Sequence, residues 1–152
     1  MKLKIHFSQI ILLALALFTM ILASQVTTHA SVKTNRLEST AIRQLGKPYV
    51  YGATGTRSFD CSGFTQYVFK KHGVHLQRTA QAQYDSTKHI RAKHVRKGDL
   101  VFFGGSRRNI YHVGLYIGNG KMIDAQNRGV VTENVHAPWW HVVGYSRPAS
   151  WA

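Results

Sequence analysis

The feature that most limits how this chain can fold is a run of alternating residues closed by a turn. Between Tyr111 and Ile117, Tyr111, Val113, Leu115 and Ile117 fall on one face of an extended strand, and His112, Gly114 and Tyr116 on the other. Gly118-Asn119-Gly120 is a strong hairpin turn, and Lys121 to Ala125 returns as the next strand. The same period recurs on either side. Asp99 to Phe103 reads as a strand ended by Gly104-Gly105. Asn127-Arg128-Gly129 is a second turn leading into Val130 to Glu133, and Val142 to Arg147 makes a fifth strand. A chain whose second half pairs this way builds an antiparallel sheet.

The first half has helical period instead. Leu37 to Leu45 predicts a helix with Leu37, Ala41, Ile42 and Leu45 on one face, closed by Gly46 and barred from continuing by Pro48. The stretch from Phe59 to Gly73 predicts a second helix. Asp60 is its N-cap, Cys61 lies in its first turn, Phe64, Tyr67, Val68 and Phe69 form its apolar stripe, and Gly73 ends it. Arg78 to Tyr84 predicts a short third helix capped by Arg78 or Thr79. A basic loop over His89 to Lys97 follows, with both of its histidines, His89 and His94, in solvent. Helices first and strands after indicate an α+β domain with the helices packed on a small antiparallel sheet.

Residues 1–30 read as an export signal. Lys2 and Lys4 supply the positive start, Ile10 to Ala23 is an apolar run of fourteen residues, and Thr28-His29-Ala30 offers a small residue for cleavage. The run is short for a membrane span, so membrane attachment is expected only if the signal stays uncleaved. Residues 31–36 are a short linker, and 37–152 is a single domain by length. The twenty Lys and Arg against six Asp and Glu give a net charge of +14. Removing Lys2 and Lys4 leaves +12. Such a surface suits polyanions, and outside a cell these are wall polymers or anionic lipid. The basic loop carries no interleaved aromatic residues, which argues against nucleic acid.

Cys61 is the one cysteine of the sequence, so no internal disulfide forms. A helix N-terminus favours an anion and therefore favours thiolate chemistry at Cys61. Nucleophilic catalysis by a thiolate needs a histidine and a group that orients its ring. Seven histidines remain after the signal. His72 and His75 flank a helix end and suit capping, while His136 and His141 flank Pro138-Trp139-Trp140 and suit a groove. His112 alone sits on a well-defined strand, opposite the apolar face. If Ile117 pairs with Lys121 across the hairpin, His112 faces Gln126, and Asp124 lies diagonally on the His112 face, ~7 to 8 Å away at the backbone. Asp124 is then the orienting candidate and Gln126 the alternative. A register slip of one residue would separate them. No clustered metal ligands, no Gly-x-Ser-x-Gly elbow and no phosphate-binding glycine loop occur, so neither metal nor cofactor is expected.

Five ordered motifs carry a resemblance: Gly46-Lys47-Pro48-Tyr49-Val50-Tyr51-Gly52, Phe59-Asp60-Cys61-Ser62-Gly63-Phe64, Arg78-Thr79-Ala80-Gln81, Lys97-Gly98-Asp99-Leu100-Val101-Phe102-Phe103, and His112-Val113-Gly114-Leu115-Tyr116-Ile117-Gly118. Together they resemble the NlpC-type cell-wall cysteine endopeptidases, over about Leu37 to Arg147. The resemblance implies a compact papain-like fold and hydrolysis of peptidoglycan stem peptides, typically at the bond from D-γ-glutamate to the diamino acid. It implies Cys61 as nucleophile and His112 as base. It further implies Tyr49 near the oxyanion, Asp60 and Ser62 near the subsite for the stem peptide's free amine, and Arg78 near the groove. The family usually places a histidine third, and this chain has Asp124 there. The expectation is a secreted, monomeric peptidoglycan hydrolase without a cofactor. Its rivals are an amidase or acyltransferase on the same scaffold and a non-catalytic wall-binding protein.

Overall fold

The computed structural model describes residues 11–16, 18 and 33–148. The chain divides into two units, Met1–Lys33 and Thr34–Ala152. In the first, residues 11–16 and 18 are helical and exposed. Among the described residues no helix is long and apolar enough to cross a membrane. The export signal and its cleavage point lie largely outside the described residues.

Helix α1 covers residues 33–42, all but the first of them in the second unit, and starts four residues earlier than the sequence pattern suggests. Leu37 and Ala41 are buried as expected, with Thr40 and Gln44 beside them, but Ile42 and Leu45 are exposed. The helix stops at residue 42, so the 3.6-residue stripe does not extend to Leu45. Helix α2 (Cys61–Lys70) starts where Asp60 caps it, its side chain accepting from the Gly63 amide. Phe64, Val68 and Phe69 are fully buried, each contributing roughly 1.5–3 kcal/mol by leaving water. Helix α3 (Ala80–Asp85) is capped by Thr79, whose side chain accepts from the Ala82 amide.

Six strands follow: β1 (Lys88–Ile90), β2 (Leu100–Ser106), β3 (Asn109–Gly118), β4 (Lys121–Gln126), β5 (Gly129–Asn134) and β6 (Val142–Arg147). They form one sheet in the order β1-β6-β2-β3-β4-β5 with antiparallel neighbours. Two expectations are corrected here. The basic stretch is not all loop, because Lys88–Ile90 pairs with β6 at the sheet edge and residues 92–94 make a 3-10 turn. Gly104 and Gly105 do not end β2. The strand runs through them with register shifts against β3, which absorb the irregularity.

The sheet is buried on both faces. Leu100, Phe102, Val113, Leu115, Ile123 and Ala125 pack against Leu37, Ala41 and the apolar side of α2. On the other face Val101, Phe103, Met122, Val135 and Tyr145 form a second cluster, with Trp140 against it. The alternation along β3 sends Val113 and Leu115 to the first cluster and Tyr116 to the second, while Tyr111, expected inside, is exposed.

Candidate active site

The hairpin β3–β4 determines what His112 meets. Leu115 pairs with Ile123 and Tyr116 with Met122, then the register shifts so that Gly118 pairs with Lys121. The turn is thus shorter at its tip than expected, but beyond the shift the register is the one that sets Asp124 diagonal to His112. His112 Nε2 and Asp124 Oδ2 are 2.7 Å apart, with side chains 9% and 0% exposed. Gly114, between them on the same face, makes room. A Cβ there would sit 2.7 Å from Met122 Sδ and 3.3 Å from Asp124 Cβ. Gln126 does not hold the imidazole; its Oε1 accepts from the Arg128 amide at 3.1 Å.

Cys61, at the first position of α2, is half-buried. Its side chain lies close enough to the His112 ring to act on that ring's charge. Because Nε2 faces Asp124, Nδ1 is the nitrogen left for sulfur. Burial of the ring opposes its protonation. The hydrogen bond to Asp124, and the charges of Cys61 and Asp124, outweigh that and raise the His112 pKa from 6.5 to about 9. The ring is therefore imidazolium at neutral pH, directly beside the sulfur.

Two cavities flank this pair and share Tyr49. The one beside Cys61, about 510 Å³, is lined by Tyr51, Asp60, Ser62, Arg78 and Tyr111 among others. Here Arg78 forms a two-pronged ion pair with Asp60: Nη1 donates to Oδ1 at 3.1 Å, and Nη2 pairs with Oδ2. Nη1 also donates to Ser62 Oγ at 2.9 Å. Burial alone would raise the Asp60 carboxyl. Arg78 and the amides of Gly63 and Gly52 outweigh it and hold the group below its ordinary value. Tyr49 is pushed up by burial and by its proximity to Cys61 and Asp60. The second cavity, about 610 Å³, lies beside His112 and is walled by Gln126, Asn127, Arg128, Trp139 and Trp140.

The other histidines go elsewhere. His72 bonds Thr40 Oγ1 at 2.9 Å and so ties α2 to α1 rather than capping a helix. His89 is not simply solvated; it stacks on Tyr84 with ring centres 4.0 Å apart. His141 bonds the Gly104 carbonyl at 2.7 Å, and His136 is exposed. Neither lines the groove; the two tryptophans between them do. Among the described residues no group of side chains is arranged to hold a metal ion.

The NlpC/P60 family model matches residues 46–145. The chain belongs to the NlpC/P60 family. A probable endopeptidase p60 of Listeria welshimeri is 51% identical over 110 residues, which is 70% of this chain and 21% of that protein. The bifunctional muramidase/DL-endopeptidase CwlT of Bacillus subtilis is 41% identical over 112 residues, covering 70% and 34%. A crystal structure of an NlpC/P60 family protein from Bacillus cereus superposes with a TM-score of 0.73 at 32% identity, covering 76% of this chain and 40% of the other. The chain thus spans about a fifth of the Listeria relative's length. The helices on an antiparallel sheet are the papain-like arrangement of the NlpC/P60 structures.

Sequence reasoning missed three side chains at the site: Phe103, Glu133 and Trp140. Phe103 and Trp140 each pack against the His112 ring, and Glu133 bonds the Trp140 indole. The Trp139-Trp140 pair was the available signal, but it pointed to a groove, not to the imidazole.

Proposed function

We propose that this NlpC/P60 chain is an exported cysteine peptidase of peptidoglycan, cleaving stem peptides at the bond from D-γ-glutamate to the diamino acid. The observation that carries the reading is the series Asp124–His112–Cys61 with a cavity on each side. The name of the Bacillus relative, a DL-endopeptidase, supports the bond.

The Cys61 thiolate attacks the carbonyl carbon, and the Cys61 amide and the Tyr49 hydroxyl stabilise the oxyanion. His112 delivers its Nδ1 proton to the departing amine, leaving a thioester on Cys61. His112 then takes a proton from water as that water attacks the thioester, and Cys61 leaves as thiolate. Since the imidazole serves the leaving group, the diamino acid lies in the cavity lined by Trp139 and Trp140. The acyl portion lies beside Asp60, Ser62 and Arg78. There the Asp60 carboxylate, ionised and anchored, attracts the free amine of the stem peptide.

The reading places the protein outside the membrane, released or retained by residues 1–30, acting as a monomer. Its positive charge holds it to anionic wall polymers, and that binding weakens as salt rises from low to physiological strength.

Defined muropeptides followed by mass analysis test the bond. Wild-type protein is expected to free a new amine on the diamino acid. Cys61→Ser and His112→Ala are each expected to lose turnover by about 10⁴-fold or more while keeping the fold. Cleavage at another bond, or turnover retained in either variant, would refute the reading.

A further inference from the structure

Beyond the catalytic series, His112 has a roof. The Trp140 indole lies nearly parallel to the imidazole, with ring centres 4.5 Å apart and planes 15° apart. Phe103 supports both, at 4.6 Å from Trp140 and 5.8 Å from His112. Trp140 belongs to the connection between β5 and β6, not to the sheet. A side chain on a connecting segment holds such a geometry only if something fixes it. Glu133, on β5, does so. Its Oε1 accepts the Trp140 Nε1–H at 3.0 Å, and its Oε2 accepts from Arg128 Nη2 at 2.9 Å. The Glu133 side chain is 7% exposed.

We infer that Trp140, locked in place by Glu133, is a positioning residue that holds the His112 ring in the plane joining Asp124 to Cys61 and stabilises its charged form through its π face. The inference rests on the reading of Cys61 and His112 as nucleophile and base.

The physical case has two parts. An aromatic face within about 6 Å of a cation attracts it, most strongly when both are withdrawn from water, and His112 is 7% exposed. The stack also removes ring rotation as a freedom. A rotated ring would break the contacts of Nε2 with Asp124 and Nδ1 with sulfur together. The charged and titratable groups around the imidazole are few. Cys61 approaches from α2, Asp124 from β4 and Tyr49 from the connection before α2. Glu133 on β5 stands against Asp124, and Arg128 in the β4–β5 turn is paired to Glu133. Burial and the Asp124 charge both raise the Glu133 carboxyl. Asp124 Oδ1 is buried and accepts no hydrogen bond among the described residues. Negative charge is thus concentrated behind the imidazole, and Trp140 covers the ring's open face.

The test uses the full chain and two readouts. One is the rate at which iodoacetamide alkylates Cys61 across pH 5 to 11, which needs no substrate and so stands even if the proposed bond is wrong. The other is kcat/KM on a muropeptide. Trp140→Leu keeps bulk and loses the π face. It is expected to lower kcat/KM about tenfold, mainly in kcat, and to move the alkaline limb of alkylation down by about one pH. Trp140→Phe keeps a ring but loses the bond to Glu133, and is expected to fall between Trp140→Leu and wild type. Glu133→Gln keeps an acceptor for the indole N–H but loses the anion that pairs with Arg128, and is expected to fall between Trp140→Leu and wild type in kcat/KM. A Trp140→Leu protein with the wild-type alkylation profile, whether or not its thermal stability falls, would overturn the inference.

Discussion

Two aspartates at this site each hold a cation, and they are built differently. Asp60 is at the head of α2 and pairs with Arg78, whose side chain is 41% exposed. Asp124 is at the centre of β4, its side chain 0% exposed, and pairs with His112. Asp60 also caps the helix and takes backbone bonds from Gly52 and Gly63. Asp124 bonds His112 through Oδ2, and among the described residues its buried Oδ1 has no hydrogen-bond partner. A carboxylate that is itself buried but borders a cavity, is satisfied several times over and is paired with a partly exposed cation can attract a ligand's charge. A carboxylate shut away with a single partner commits that partner's proton. The difference teaches that one residue type performs recognition at a helix terminus and proton control inside a sheet, according to its surroundings.

The harshest way to break the contrast is Asp124→Ala. It strands His112 without its anion and is expected to reduce kcat by about 10²- to 10⁴-fold with little change in KM, read by steady-state muropeptide kinetics. The second is pH. His112 is raised to about 9, so the folded protein keeps a proton that the unfolded chain loses above 6.5. Its stabilising effect is complete below pH 6.5 and is lost as pH climbs through about 9. kcat/KM is expected to decline over the same alkaline range, and Asp124→Asn to shift that decline downward. A profile flat to pH 10 would break the assignment.

Asp60→Asn gives a smaller and different effect. Asparagine still caps a helix, so the fold stays intact, but the charge offered to the stem peptide's amine is gone. KM is expected to rise roughly tenfold with kcat nearly kept. The sign in acid is opposite to that at His112. Asp60 is held below its ordinary 3.8, so its stabilisation is present above that value and is lost as pH falls through the depressed one. Chemical denaturation of wild type and Asp60→Asn should show a gap that closes in acid. The smallest effect separates cap from charge: Asp60→Ala is expected to cost about 1 kcal/mol more than Asp60→Asn in the same assay.

Much of this was legible beforehand because it is local. The Asp60 cap, Cys61 at the first turn of α2 and the alternation along β3 follow from side-chain chemistry and period alone. The His112–Asp124 relation was legible as well, because a hairpin turn couples residues twelve apart. The misreadings share a cause. Ile42 and Leu45 sit at helical spacing, but α1 ends at residue 42 and leaves both exposed. Lys88–Ile90 became a strand because β6, nearly sixty residues later, offered an open edge.

By itself the sequence determined the order of the three helices and of strands β2 to β6, the capped thiol and the pairing that sets a carboxylate beside an imidazole, since each depends on neighbours along the chain or across one turn. Only the tertiary structure decided that Trp140 covers His112, that Glu133 secures Trp140, and that Arg78 grips Asp60. Those contacts join separate connections and strands, and the energy that selects them comes from packing and desolvation in three dimensions, which local pattern does not encode.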